Sequence, residues 1–68
     1  MMYKPGQIIF FRSDLEVNEE YDGIEFISDM CKLRGTLATI EEFDESDNTF
    51  TIKEDGQKYW YSEEMLVF

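Results

Sequence analysis

"TFTIKEDGQKYWYS", Thr49 to Ser62, is the stretch on which the fold turns. "TFTIK" alternates as a half-buried strand does. It puts Phe50 and Ile52 inside, with Thr49, Thr51 and Lys53 outside. Asp55-Gly56 is a strong hairpin signal, because a type I′ turn needs φ > 0 at both central residues. "QKYWYS", Gln57 to Ser62, then returns antiparallel. With a two-residue turn, Ile52 faces Tyr59, Thr51 faces Trp60 and Phe50 faces Tyr61. Tyr59 and Tyr61 are then core, and Trp60 lies outside. A three-residue loop, Glu54-Asp55-Gly56 with a bulge, shifts the pairing by one and sends Trp60 inside against Phe50. Such a slip flips every side chain. We take the two-residue turn, although it sets Lys53 against Lys58, a like-charge pair.

Upstream, "TLATIEEF", Thr36 to Phe43, is a strand rich in β-branched residues. Ala38 and Ile40 share one face, and Leu37 and Thr39 the other. Phe43 breaks the alternation, which places a β-bulge at Glu41-Glu42. "DESDN", Asp44 to Asn48, is the turn into the next strand. Downstream, Ser62 caps one helical turn begun by Glu63 and Glu64. "MLVF", Met65 to Phe68, is a short closing strand.

At the other end, Lys4-Pro5-Gly6 is a turn. "QIIFFR", Gln7 to Arg12, has apolar residues on both faces and reads as a strand covered on both sides, or partly so. "SDLEVNEEYDG", Ser13 to Gly23, is a long irregular loop pinned by Leu15, Val17 and Tyr21. Ile24 to Gly35 is the one helix, with Phe26, Met30 and Leu33 recurring at helical spacing. Asp29 lies early, and Lys32 and Arg34 lie late, as the helix dipole prefers. Gly35 follows as the C′ residue. The expected architecture is a mainly β single domain over residues 1–68. It is a small five-stranded SH3-like barrel with one short helix in the long first connection and a helical turn before the last strand.

Composition narrows the function. A chain of 68 residues buries only about 60% of its unfolded surface. One cysteine and no histidine exclude an internal disulfide and a Cys/His zinc site. The chain opens on Met1-Met2-Tyr3 with no signal peptide or long apolar run, so a soluble cytoplasmic protein is expected. Sixteen acids against six bases give a net charge of −10. That sign disfavours direct contact with nucleic acid or an anionic membrane, and suits a basic partner.

No catalytic site is expected, and no cofactor or metal site. The acids lie in turns and loops beside no evident cleft, and histidine, the commonest general base, is missing. "DESDN" has acids at Asp44 and Asp47 but lacks a calcium loop's glycine and bidentate Glu; Thr49 and Asp55 occupy those places. Cys31 reads as a buried, inert thiol on the helix. Trp60 is either packed beneath a loop or left out as an anchor for a partner.

From Asp14 to Leu66 the chain resembles a group of small phage and prophage proteins of Gram-positive bacteria. The residues are "DLEVNEEYDGIEFISDMCKLRGTLATI" and "YWYSEEML". The shared pattern is DL-x-V-x(3)-Y-x-G-[IV]-x-F-x(3)-M-x-K-L-x-G, then a Thr-Ile strand and a Tyr/Trp-Ser/Thr-x-Glu-Met ending. The resemblance implies an SH3-like module, found alone or attached to larger phage proteins, and a mobile-element origin. It implies no particular chemistry.

The acids fall in two windows free of Lys and Arg. Ser13 to Cys31 holds Asp14, Glu16, Glu19, Glu20, Asp22, Glu25 and Asp29; Gly35 to Ile52 holds Glu41, Glu42, Asp44, Glu45 and Asp47. The bland reading is the solvated surface of an acidic domain. The sharper one is a nucleic-acid mimic that occupies the basic channel of a host nuclease or other nucleic-acid-handling protein in the host cytoplasm. The expected partner-binding residues are Asp14, Glu16, Glu19, Glu20 and Asp22 in the loop, Glu41, Glu42, Asp44, Glu45 and Asp47 around the turn, and Trp60. The alternative is a structural or assembly module of a phage protein that docks through an aromatic face.

Overall fold

The computed structural model describes residues 3–67. Six short strands run in chain order: β1 (Ile8–Phe10), β2 (Glu20–Tyr21), β3 (Ile24–Glu25), β4 (Leu37–Asp44), β5 (Thr49–Ile52) and β6 (Tyr61–Ser62). β1, β4, β5 and β6 form one antiparallel sheet in that spatial order, and β2 and β3 pair as a separate small sheet. The larger sheet curls into a half-barrel. Phe11 bridges Leu66, and the Val67 N–H donates to the Phe10 carbonyl at 2.8 Å. The chain end thereby covers the free side of β1. Of the expected Met65–Phe68 strand, this single bridge is what forms; Phe68 lies outside the described residues.

β4 is the spine, and its bulge lets both neighbours pack. Ile40 pairs with Ile52 and Glu42 with Thr51, so Glu41 is the extra residue, where the broken alternation placed it. The bulge returns Phe43 to the core side, opposite Phe50. Phe11, Phe50 and Tyr61 are fully buried and stack at ring separations of 5.3 to 6.4 Å. Tyr3 closes the far end against Phe43 and Phe50. Such aromatic contacts suit a core this small, because each ring buries roughly 150–250 Å².

The hairpin pairs Phe50 with Tyr61 and Thr49 with Ser62, the expected register. Its turn is different. β5 and β6 pair no further toward the turn than Phe50 and Tyr61, and Asp55 does not take positive φ; Gly56 and Gln57 do, at 69° and 64°. The Gly56 N–H donates to the Lys53 carbonyl and the Gln57 N–H to that of Ile52, the nested pair that usually ends a helix. Asp55 is held otherwise: it accepts the Lys58 N–H at 3.2 Å and the Tyr61 hydroxyl. Tyr59 is consequently only half-buried, while Tyr61 is core.

The type I′ turn lies at the other Asp-Gly. Asp22 and Gly23 take φ of 56° and 85°, and Tyr21 pairs with Ile24 across them. This hairpin replaces the start of the expected α-helix. Ile24 and Glu25 are strand, Ile27 is extended, and Ser28–Leu33 is a 3₁₀ helix. The apolar residues that suggested the helix are core all the same: Phe26, Met30 and Leu33 are buried. Met30 and Leu33 are three apart, one 3₁₀ turn. Six residues cannot offset the cost of nucleating an α-helix, so long-range burial sets the local form.

Three smaller expectations change. Thr49 and Thr51, placed outside, are 5% and 2% exposed, so β5 is buried on both faces. Val17 does not pin the first connection; Leu15 does, at 1% exposure, with Tyr21 half-buried beside it. Ser62 precedes the expected helical turn, a 3₁₀ turn at Glu63–Met65, but does not cap it; its hydroxyl donates to the Tyr21 carbonyl at 2.6 Å. That bond ties β2 to the main sheet.

Candidate functional site

The site begins with β2 and β3. The tight Asp22-Gly23 turn holds Glu20 directly opposite Glu25. Like charges facing each other across a two-stranded ladder destabilise it, and among the described residues no cationic side chain bridges either one. Replacing Glu25 with Lys is therefore expected to stabilise the domain by about 0.2–1 kcal/mol. For a domain of this size that is a rise of roughly 1–8 °C in melting temperature. A lower melting temperature for Glu25→Lys by circular dichroism would show that the two carboxylates do not face each other.

The loop before β2 is fastened rather than free. Arg12 grips Asp14 with two bonds, at 2.9 and 3.0 Å, which hold the Asp14 carboxyl below its usual range. The same guanidinium donates to the Glu64 carbonyl at 2.8 Å and lies 5.6 Å from the Tyr21 ring centre. The Glu16 N–H donates to the Tyr21 hydroxyl, and Arg34 donates to the Leu15 carbonyl. Asp14 thus has a cation of its own. Glu16, Glu19, Glu20 and Asp22 are exposed, and none of the ion pairs found among the described residues involves them.

The second acidic segment lies on β4 and its turn. Glu41 sits in the bulge, half-buried, and Glu42 is exposed opposite Thr51. Asp44 accepts both the N–H and the hydroxyl of Ser46, and these bonds lower its pKa. Asp47 accepts the Thr49 hydroxyl at 2.7 Å. Each of these two carboxylates keeps an oxygen that makes no side-chain bond, and Glu45 is exposed.

Tertiary structure brings one residue of the β2–β3 hairpin beside the second acidic segment. Ile24 of β3, Asp44, Asp47, Thr49 and Trp60 line a shallow depression of about 340 Å³. Trp60 is 43% exposed, on the outer side where the Phe50–Tyr61 register puts it. An indole beside two carboxylates is suited to a cation: the ring face attracts it and the acids neutralise it. Of the expected partner-binding residues, Asp44, Asp47 and Trp60 line this depression; Asp14, Glu16, Glu19, Glu20, Asp22, Glu41, Glu42 and Glu45 do not.

A larger polar groove of about 760 Å³ lies between the 3₁₀ helix and the β5–β6 connection. Its groups satisfy one another. The Tyr59 hydroxyl donates to Asp29 at 2.7 Å, Lys58 stands 3.9 Å from the same carboxylate, and Tyr61 is bonded to Asp55. Cys31 sits on its lip, half-buried rather than fully buried as expected. Among the described residues, no three His, Cys, Asp or Glu side chains group to hold a metal ion, and no helix is long and apolar enough to cross a membrane.

Reading the sequence missed one surface. Ile8, Phe10, Leu37 and Val67 are all exposed, at 67%, 43%, 65% and 49%. "QIIFFR" suggested a strand covered on both faces, or partly so; only the Ile9 and Phe11 face is covered. Two apolar faces in a sequence cannot say which of them finds a partner within the chain. Comparison with known proteins adds no relative: no family model, curated protein or solved structure matches this chain.

Proposed function

We propose that this chain is a non-catalytic, phage-type binding module, working in the cytoplasm of a host cell. It inhibits a basic nucleic-acid-handling protein, such as a defence nuclease, by presenting carboxylates where that protein takes a phosphate backbone. We further read the half-barrel as SH3-like. The order Leu66 segment, β1, β4, β5, β6, with a long first connection and a 3₁₀ turn before the last segment, supports that reading.

The observation that carries the function is the Trp60 depression. Asp44 and Asp47 flank an exposed indole there, and the hairpin carrying the facing Glu20 and Glu25 reaches it through Ile24. A net charge of −10 draws a basic partner by long-range attraction, and the depression gives one of its Lys or Arg side chains a seat. The facing glutamates oppose folding and become favourable only against positive charge. Exposed Trp60 also supports the second reading, a structural or assembly module docking through an aromatic face.

The test is capture from a Gram-positive host lysate at low and high salt. The expected result is recovery of a nucleic-acid-handling protein at low salt, its loss at high salt, and its loss when Glu19, Glu20 and Asp22 are all changed to Lys. Capture of phage structural proteins that survives both salt and charge reversal would replace inhibition with the docking reading.

A further inference from the structure

The chain holds two Asp-Gly dipeptides, Asp22-Gly23 and Asp55-Gly56, and no other Asp or Asn precedes a glycine. An aspartate before glycine is open to a backbone rearrangement, because glycine has no side chain to hinder its own nitrogen. From the neutral carboxyl form, the glycine nitrogen bonds to the aspartate Cγ. The Cγ–OH bond breaks, and the hydroxyl leaves with the amide proton as water. Water then opens the resulting cyclic imide at either carbonyl carbon. One opening restores aspartate. The other routes the main chain through Cγ and leaves the α-carboxyl as the side group, which is isoaspartate. The water lost in the first step is regained in the second, so no other reactant is needed.

We propose that Asp22-Gly23 is a self-modification site that forms isoaspartate in the native protein by transient opening of the β2–β3 hairpin, and that Asp55-Gly56 is protected. Three differences between the dipeptides select it. The first is the carboxylate. Asp22 is exposed and is in no side-chain hydrogen bond found among the described residues, so its carboxyl is free to turn toward the chain. Asp55 is half-buried and held by the Lys58 N–H and the Tyr61 hydroxyl. The second is the nucleophile. The Gly56 N–H donates to the Lys53 carbonyl at 3.0 Å, whereas the Gly23 N–H is in no hydrogen bond found among the described residues.

The third is the ease of opening. In a type I′ turn the Asp22 Cβ and the Gly23 nitrogen lie on opposite sides of the Cα–C bond, so the turn must open before they meet. β2 and β3 pair over two residues each, apart from the main sheet, and they set Glu20 against Glu25. A two-stranded ladder is marginal by itself, and facing like charges weaken it further. Such a hairpin opens at a fraction of the free energy of global unfolding. Asp55 is released only by breaking its bond to a buried tyrosine.

Isoaspartate lengthens the main chain by one atom. A two-residue turn has no slack for it, so the pairing of Tyr21 with Ile24 and of Glu20 with Glu25 is lost. Ile24 is one wall of the Trp60 depression. The modification therefore alters that depression and leaves the net charge as it was. Trp60 is the one tryptophan of the chain, so its fluorescence reports the change.

The test is prolonged incubation of the full chain, once in native buffer and once in guanidinium chloride, followed by peptide mapping that counts isoaspartate at each site. Unfolded, the two dipeptides should react at closely similar rates. In native buffer, Asp22 should react about tenfold or more faster than Asp55. Glu25→Lys, which removes the facing charge, should slow Asp22 by roughly 1.5- to 5-fold in native buffer and leave its rate unchanged in denaturant. Trp60 emission should shift in step with conversion at Asp22. Native Asp55 converting as fast as Asp22 overturns the proposal, as does an Asp22 rate that Glu25→Lys leaves unchanged or raises. Conversion at Asp22 confined to the unfolded chain overturns it too. Full conversion with Trp60 emission unaltered overturns its bearing on the depression.

Discussion

Phe50→Ala is expected to leave the chain unfolded at 25 °C. Phe50 is fully buried, pairs with Phe43 and Tyr61 on its two sides, and stacks against Tyr3, Phe11 and Tyr61. Truncating a buried Phe costs about 3–5 kcal/mol, because the lost transfer energy adds to an unfilled cavity. A core of this size rarely supplies more than about 3–5 kcal/mol in all. Nothing covalent holds the remainder, since the single cysteine has no partner. Phe10→Ala is the matched control. Phe10 is 43% exposed on the other face of β1, and its loss should cost less than about 1 kcal/mol. Urea titration followed by far-ultraviolet circular dichroism measures both. A cooperative transition for Phe50→Ala close to that of the unchanged protein would mean that these rings do not form the core.

Alkaline pH should unfold the domain through Tyr61. Burial raises the pKa of this phenol most, its hydrogen bond to Asp55 raises it next, and the negative charge of Asp55 adds to both. The folded-state pKa therefore lies above the unfolded value of about 10. The stabilisation is fully present below pH 10 and is lost as pH rises from there toward the folded value, because the unfolded chain releases its proton first. The expected loss is about 1.4 kcal/mol per pH unit for one tyrosine. Tyr3 and Tyr59 shift in the same direction, Tyr3 mainly by burial and Tyr59 mainly by its bond to Asp29. Tyr61→Phe should cost about 1 kcal/mol or more at neutral pH, since Asp55 loses its donor. It should also flatten the alkaline limb. Urea midpoints measured from pH 7 to pH 11 give the comparison. Equal alkaline slopes for the variant and the unchanged protein would remove Tyr61 from the account.

Much of the core was legible because period-2 alternation is local. It named Phe50 and Ile52 as core on β5, grouped Ala38 and Ile40 on one face of β4 without saying which face was covered, and placed the bulge that returns Phe43. Helical spacing grouped Phe26, Met30 and Leu33, which are all buried, and misjudged their backbone. Over so few residues, 3₁₀ and α-helical periods bury the same side chains. The acids of the candidate site were visible as charge. That Asp44 and Asp47 sit beside Trp60 and Ile24 was not, because residues 24, 44 and 60 are neighbours only once the β2–β3 hairpin is laid over the sheet.

The two Asp-Gly dipeptides divide the problem. The sequence by itself determined that Phe50 and Ile52 share one face of β5, because alternation is local; it left two registers for the returning strand, and the one taken, Phe50 facing Tyr61, forms without the two-residue turn that was its reason. It could not determine which dipeptide makes the type I′ turn, since Asp22-Gly23 and Asp55-Gly56 have the same backbone freedom. Tertiary structure decided that. Asp55 is claimed by the hydroxyl of a buried tyrosine six residues on, and its turn opens to meet it. Asp22 is in no side-chain hydrogen bond found among the described residues, so it closes the tight hairpin. The same division runs through β1. Alternation sorts Ile9 and Phe11 from Ile8 and Phe10, but both pairs are apolar, and the covered face is chosen by segments distant in sequence. Those segments pack over Ile9 and Phe11 and leave Ile8 and Phe10 to solvent or to another molecule.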